Sequence, residues 1–154
     1  MPTLPGTRAD LFVTLVYVIQ LLAPLVVMRS FRAARARMFR RHRQIQLVLL
    51  GCCTVAVLAL ETRIRLAGGS GVLTAGGTFS GTLAFRIVFS IHVAAAVLTY
   101  LLWAWLALTS TRRFGHELPG SFSARHRTIG KTVFGGLCFT ALSATAMFIL
   151  GFVA

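Results

Sequence analysis

The sequence predicts an all-α integral membrane protein, a four-helix bundle built from two helical hairpins. Three observations support this fold class: 56% of the 154 residues are hydrophobic, only 12% are charged, and the mean hydropathy is +0.80. Soluble globular domains contain about 25% charged residues on average. The length predicts a single transmembrane domain over residues 1–154, without room for a separate soluble catalytic domain.

Four apolar segments are long enough to cross a membrane as helices. A bilayer core about 30 Å thick needs about 20 helical residues. The predicted helices cover residues 11–28, 45–64, 83–108 and 128–153. Small residues allow membrane helices to approach closely. We therefore expect the closest helix contacts at a set of small residues: Gly51, Ala94, Ala95, Ala96, Gly135, Gly136, Ser143 and Ala144.

The basic residues are distributed unevenly along the chain. There are 16 basic residues and three acidic ones, and most arginines lie between helices one and two or between helices three and four. The connection at 67–81 is instead rich in Gly, Ser and Thr. The positive-inside rule then places both arginine-rich loops in the cytoplasm and both termini outside. The high hydropathy argues against nucleic acid as a partner and favours membrane lipids at these loops.

The tripeptide Arg-His-Arg occurs twice, at 41–43 and 125–127, and each copy opens an even-numbered predicted helix. Two similar hairpins would place His42 and His126 at the same depth on the cytoplasmic side. Neutral imidazole is a common metal ligand, and helical bundles build metal sites between facing helices. The pair could therefore supply the axial ligands of a haem or part of a copper site.

The arginines beside these histidines allow two interpretations. Arg43 and Arg127, with the arginines that precede the histidines, would suit the propionates of a haem or the phosphates of lipids. Alternatively, both tripeptides simply anchor a helix at the membrane interface, since both helices begin on the positive side.

A third histidine lies at membrane depth. His92 is nine residues into the third predicted helix, about 13 Å from its external end. Ionisable residues at this depth usually face the bundle interior and often mark function, so His92 is either a ligand, a proton-handling group or a hydrogen-bonded structural histidine. Glu61 lies at the external end of the second helix. It could pair with Arg65 and Arg86, or form a polar entrance above His92.

The sequence contains no motif typical of an enzyme. Gly130, Lys131 and Thr132 resemble the end of a phosphate-binding loop, but Arg125 stands where that motif needs its first glycine. With three acidic residues in all, general acid–base chemistry has few candidate groups. We expect no catalytic activity.

Cysteine and tryptophan are assigned structural roles. Cys52 and Cys53 are adjacent in one helix and point apart, so a disulfide framework is not expected. Together with Cys138 they are expected to be small buried residues. Trp103 and Trp105 lie near the cytoplasmic end of the third helix and are expected to face the membrane interface.

The order of the histidines resembles the YozB/CtaM-like family of bacterial four-helix membrane proteins. His42 opens the second helix, His92 lies within the third and His126 opens the fourth. The stretch of the fourth helix that follows His126, up to residue 148, adds to the resemblance. The resemblance implies the bacterial cytoplasmic membrane, a role in the maturation of haem–copper oxidases, and these three histidines as ligands of haem or metal.

The sequence and the resemblance together allow three functions. The first is an assembly protein that handles haem or copper for a respiratory haem–copper oxidase. The second is a small b-type cytochrome that transfers electrons. The third is a non-catalytic accessory subunit of another large membrane complex, with its arginine-rich loops on an acidic partner or on anionic lipid.

Overall fold

The computed structural model describes residues 9–75, 77, 79–114 and 121–153. Every element within these ranges is helical, and four of the helices are long and apolar enough to cross a membrane. The predicted all-α four-helix fold is therefore confirmed. In chain order the elements are α1 (Leu11–Arg35), α2 (Phe39–Leu66), the short α3 (Ser70–Leu73), α4 (Leu83–Arg113) and α5 (Ser123–Phe148), followed by a π-helical turn (Ile149–Val153).

The long helices form two antiparallel hairpins, α1–α2 and α4–α5, that pack through α1 and α5. Contacts between α2 and α4 are sparser. The buried core consists of Val27 from α1, Trp103 from α4, and Val133 and Leu137 from α5. Most of the apolar surface of α2 and α4 is exposed, as expected for helices that face lipid.

All four long helices extend beyond the predicted spans at the end of the bundle where the arginines concentrate, called the arginine end below. Here α1 continues to Arg35, α2 begins at Phe39, α4 continues to Arg113 and α5 begins at Ser123. Hydropathy does not detect these turns because they are polar. Arginine nevertheless has good helix propensity, and its aliphatic stem covers apolar surface while the guanidinium reaches water.

The link between α1 and α2 is a short turn in which Arg37 adopts a left-handed backbone conformation, with φ of 58°. The Met38 amide donates to the Ala33 carbonyl at 2.9 Å, and the Arg37 amide donates to the Ala34 carbonyl at 3.1 Å. This is the Schellman arrangement that usually places glycine at the left-handed position. The turn brings the end of α1 directly beside the start of α2.

Arg37→Gly is expected to raise the free energy of unfolding by about 1 kcal/mol, because glycine adopts the left-handed conformation without the Cβ penalty. Arg35→Gly, two residues earlier at the last position of α1, should instead lower it by up to about 1 kcal/mol through the poor helix propensity of glycine. Thermal unfolding in detergent measures both. An Arg37→Gly protein less stable than the wild type would contradict the strained-turn interpretation.

An ion pair joins α1 and α2 at the end of the bundle opposite the arginines. Asp10 caps α1 by accepting from the Val13 amide at 2.9 Å. The Arg63 guanidinium donates to both carboxylate oxygens of Asp10 and lies over the Phe12 ring, 5.3 Å from its centroid. The same carboxylate therefore caps the start of α1 and holds α2 beside it.

The pKa of the Asp10 carboxyl is lower than its ordinary 3.8. Burial alone would raise this pKa, but the hydrogen bonds from the Val13 amide and Arg63, together with the Arg63 charge, outweigh the burial. A lowered native pKa means that the stabilising contribution is fully present above pH 3.8 and is lost as the pH falls through the native value.

Asp10→Asn is expected to lower stability at neutral pH and to reduce the acid dependence of unfolding below about pH 3.8. Glu61→Gln is the matched control. Glu61 pairs with Arg65 at 2.6 Å, but the two side chains are 47% and 78% exposed, so little stability depends on them. Unfolding monitored from pH 2 to 7 measures both variants. Equal acid sensitivity of wild type and Asp10→Asn would contradict the role given to Asp10.

Several expectations about small and aromatic residues need correction. A Cβ at Gly51 or Gly135 would meet no atom within 4 Å, so these glycines make no close helix contact. Of the three glycines expected at helix contacts, Gly136 is the one that makes such a contact, against Thr99. Trp103 is 2% exposed and belongs to the core, not to the membrane interface. These outcomes depend on how each helix is rotated towards its neighbours, which composition does not determine.

The cysteines differ from one another in their surroundings. Cys53 is buried, Cys138 is partly buried, and Cys52 is exposed on the outer face of α2. All three are free thiols. Burial of Cys52 was therefore wrongly predicted, because adjacent positions on a helix point about 100° apart and only one of them faces the bundle.

Candidate functional site

The two Arg-His-Arg histidines lie side by side at the arginine end. His42 is in the first turn of α2 and His126 in the first turn of α5, and their ring centroids are 6.1 Å apart with an interplanar angle of 81°. Both rings are half-buried. Although the residues are far apart in the chain, the two hairpins bring their imidazoles together.

The His42 ring is oriented by Ser30 of α1. Its Nδ1 lies 2.7 Å from the Ser30 hydroxyl and 3.0 Å from the Ser30 carbonyl oxygen. A carbonyl only accepts, so the second contact requires a proton on Nδ1. In the neutral ring the lone pair is then on Nε2. This is the arrangement in which a second group fixes the tautomer of a histidine that binds metal through its other nitrogen.

Ser30 is fully buried and belongs to a wider polar network. Its hydroxyl donates to the His42 carbonyl at 3.2 Å and accepts from the Gln46 amide at 3.2 Å. The Gln46 oxygen in turn accepts from the Trp103 indole at 2.8 Å. The network therefore connects α1, α2 and α4 directly beneath the histidine pair.

His126 has an equivalent partner in its own hairpin. The Ser110 hydroxyl of α4 lies 2.8 Å from its Nδ1. The rings of Phe114 and Phe122 lie 5.7 and 6.4 Å from the His126 ring, centroid to centroid. Each histidine thus has its Nδ1 on a serine of the preceding long helix, with Nε2 remaining as the possible ligand atom.

Sequence reasoning did not identify Ser30, Ser110 or Gln46. Serine near the end of a helix has many ordinary roles. The number of residues between each serine and its histidine also differs between the two hairpins. The sequence offered one indication of these serines, which is their position. Each serine lies near the end of the helix that precedes a histidine-containing helix.

The arginines that flank the pair are exposed on the surface of the arginine end. None of them forms an ion pair within the described part of the chain, where the carboxylates are Asp10 and Glu61 at the opposite end. The local charge around the pair is therefore strongly positive. The arginines that flank the pair are Arg41, Arg43, Arg125 and Arg127.

His92 does not join the pair. Its Nδ1 lies 2.9 Å from the hydroxyl of Ser143 in α5. Ser143 follows His126 by 17 residues on the same helix, a separation of about 25 Å along its axis. His92 therefore belongs to a different level of the bundle. Glu61 pairs with Arg65 and not with a group near His92.

The donor set of the paired site is small. Within residues 9–75, 77, 79–114 and 121–153 no group of three or more His, Cys, Asp or Glu side chains could hold a metal ion. Structural zinc sites use four protein ligands and catalytic ones three. The pair therefore suits a metal that receives its remaining ligands from elsewhere.

Comparison with known proteins gives no assignment: no family model, no curated protein and no solved structure matches this chain.

Proposed function

We propose that this protein handles haem or copper for the assembly of a respiratory haem–copper oxidase, with His42 and His126 as ligands. It would do so in the bacterial cytoplasmic membrane without catalysing a reaction of its own, with both termini outside. The observation that carries the proposal is the adjacency of the two rings, each with Nδ1 on a serine. The resemblance to the YozB/CtaM-like family supplies the link to an oxidase.

The spacing of the rings fits a shared metal. The ring centroids are 6.1 Å apart, so both imidazoles would be close enough to hold one metal through their remaining nitrogens. Haem would supply four further nitrogen ligands, and its iron would be the redox centre that an oxidase needs.

The residues of this chain would bind the ligand and orient the two imidazoles that hold it. Ser30 holds the His42 proton at Nδ1 and so presents the Nε2 lone pair. Ser110 restrains the His126 ring, and the Phe114 and Phe122 rings shield that imidazole from water. His92 would be a separate ligand or proton-handling group on the other half of the bundle.

The test is a titration of the detergent-purified protein with haem and, separately, with copper. Haem binding is followed by absorption and copper by elemental analysis. We expect the wild type to bind one equivalent of ligand at the pair. This equivalent should be lost in His42→Ala/His126→Ala and retained in His92→Ala. If neither ligand binds in a manner that requires His42 and His126, the function fails, and an accessory subunit of a larger membrane complex becomes the better assignment.

A further inference from the structure

Building on the function proposed above, we propose that the ligand of the His42–His126 pair is an anionic metal tetrapyrrole and not a copper ion. The carboxylates of this ligand would be bound by Arg41, Arg43, Arg125 and Arg127.

These arginines are positioned around the histidine pair. Each follows or precedes a histidine by one residue, and neighbouring residues on a helix point about 100° apart. Arginines therefore lie to both sides of the imidazoles on both helices. They are exposed and have no ion-pair partner among the described residues. Guanidinium groups bind carboxylates through paired hydrogen bonds, which suits the two propionates of a haem.

The electrostatics of the helix ends also favour an anion beside the pair. Both α2 and α5 begin at the arginine end without a side-chain cap and without an acidic residue in the first turn. By contrast, Asp10 and Thr82 cap α1 and α4. Helix N-termini are partially positive and are normally stabilised by acidic groups. An anionic ligand beside the histidines would offset the accumulated positive charge.

Charge balance favours haem over a copper ion. Two neutral imidazoles do not offset the positive charge of a copper ion, and the positive charges of the neighbouring arginines are unfavourable beside it in a half-buried site. The carboxylates among the described residues lie at the other end of the bundle. Haem reverses this balance because its porphyrin and propionates carry negative charge.

The experiment compares haem, haem dimethyl ester and Cu(I) on the full-length protein in neutral detergent. The ester keeps the iron and the porphyrin but removes both carboxylate charges. We expect the wild type to bind haem about tenfold more tightly than the ester. This preference is the combined contribution of the exposed ion pairs between the arginines and the two carboxylates. Arg41→Gln/Arg43→Gln/Arg125→Gln/Arg127→Gln should remove this difference while retaining affinity for the ester.

A matched pair of double variants controls for the number of charges removed. Arg43→Gln/Arg127→Gln should reduce the preference for haem, whereas Arg65→Gln/Arg86→Gln at the opposite end should keep it. Circular dichroism confirms that each variant is folded. Repeating the titration with phosphatidylglycerol tests lipid phosphate as the anion: a persistent preference supports haem carboxylates, and its loss overturns the proposal.

The outcomes separate this inference from the function on which it is built. Equal binding of haem and ester, or binding of Cu(I) through the histidines without haem binding, overturns the anionic ligand but leaves the function intact. No histidine-dependent binding of any of the three probes overturns both.

Discussion

Gly136→Ala is expected to lower the free energy of unfolding by about 1–3 kcal/mol, which is the usual cost of an overpacked core. A Cβ at this position would clash with Thr99 Oγ1 and would lie 2.9 Å from its Cγ2 and 3.1 Å from its Cβ. Rotation of the threonine does not relieve all three contacts. The helices α4 and α5 would have to separate, and His126 would move relative to Ser110.

Gly135→Ala is the matched control because the adjacent glycine has no atom within 4 Å of a Cβ. It should be neutral or stabilising by up to about 1 kcal/mol, since alanine is the better helix former. Adding Thr99→Ala to Gly136→Ala should recover part of the loss by removing the two nearest atoms. Unfolding in detergent measures all three. Equal stability of Gly135→Ala and Gly136→Ala would contradict this helix contact.

Ser30→Ala is expected to reduce the affinity of the histidine pair for its ligand by about 10–100-fold, the usual effect of removing a group that orients a metal-binding histidine. Because Ser30 is fully buried and its hydroxyl contacts both His42 and Gln46, stability should also fall by about 1–3 kcal/mol. Ser110→Ala should give a similar loss of affinity with a smaller loss of stability.

Ser143→Ala separates a specific effect from a general one. Ser143 bonds the ring of His92 at 2.9 Å, as Ser30 and Ser110 bond theirs, but on the other half of the bundle. Its loss should leave the affinity of the pair unchanged. Titration with haem measures the three serine variants. Equal losses in Ser30→Ala and Ser143→Ala would mean that the serines act through overall stability and not through the orientation of the ligands.

The fold could be predicted from the sequence because length and hydropathy determine how many helices can cross a membrane. Helix ends could not, since the turns near Arg35 and Ser123 are helical yet polar. Trp103 and Cys52 were misassigned for a related reason. Hydropathy describes which residues are apolar, whereas burial depends on the face that each helix turns towards its neighbours.

The repeated Arg-His-Arg tripeptide predicted that His42 and His126 share a depth, and the structure brings their rings together. The serine partners could not be predicted, because they come from the preceding helices at different separations in sequence. Internal repeats therefore indicate which residues share a level of the bundle. The hydrogen bonds that orient them depend on helix packing.

We propose above that His42 and His126 hold a single ligand between them. The most direct measurement is the spin state of the ferric haem-loaded protein, determined by electron paramagnetic resonance and absorption in the wild type and in each single alanine variant. We expect a six-coordinate, low-spin iron in the wild type and a five-coordinate, high-spin iron in both His42→Ala and His126→Ala. A low-spin signal that persists in either single variant would show that the two histidines are not the axial pair.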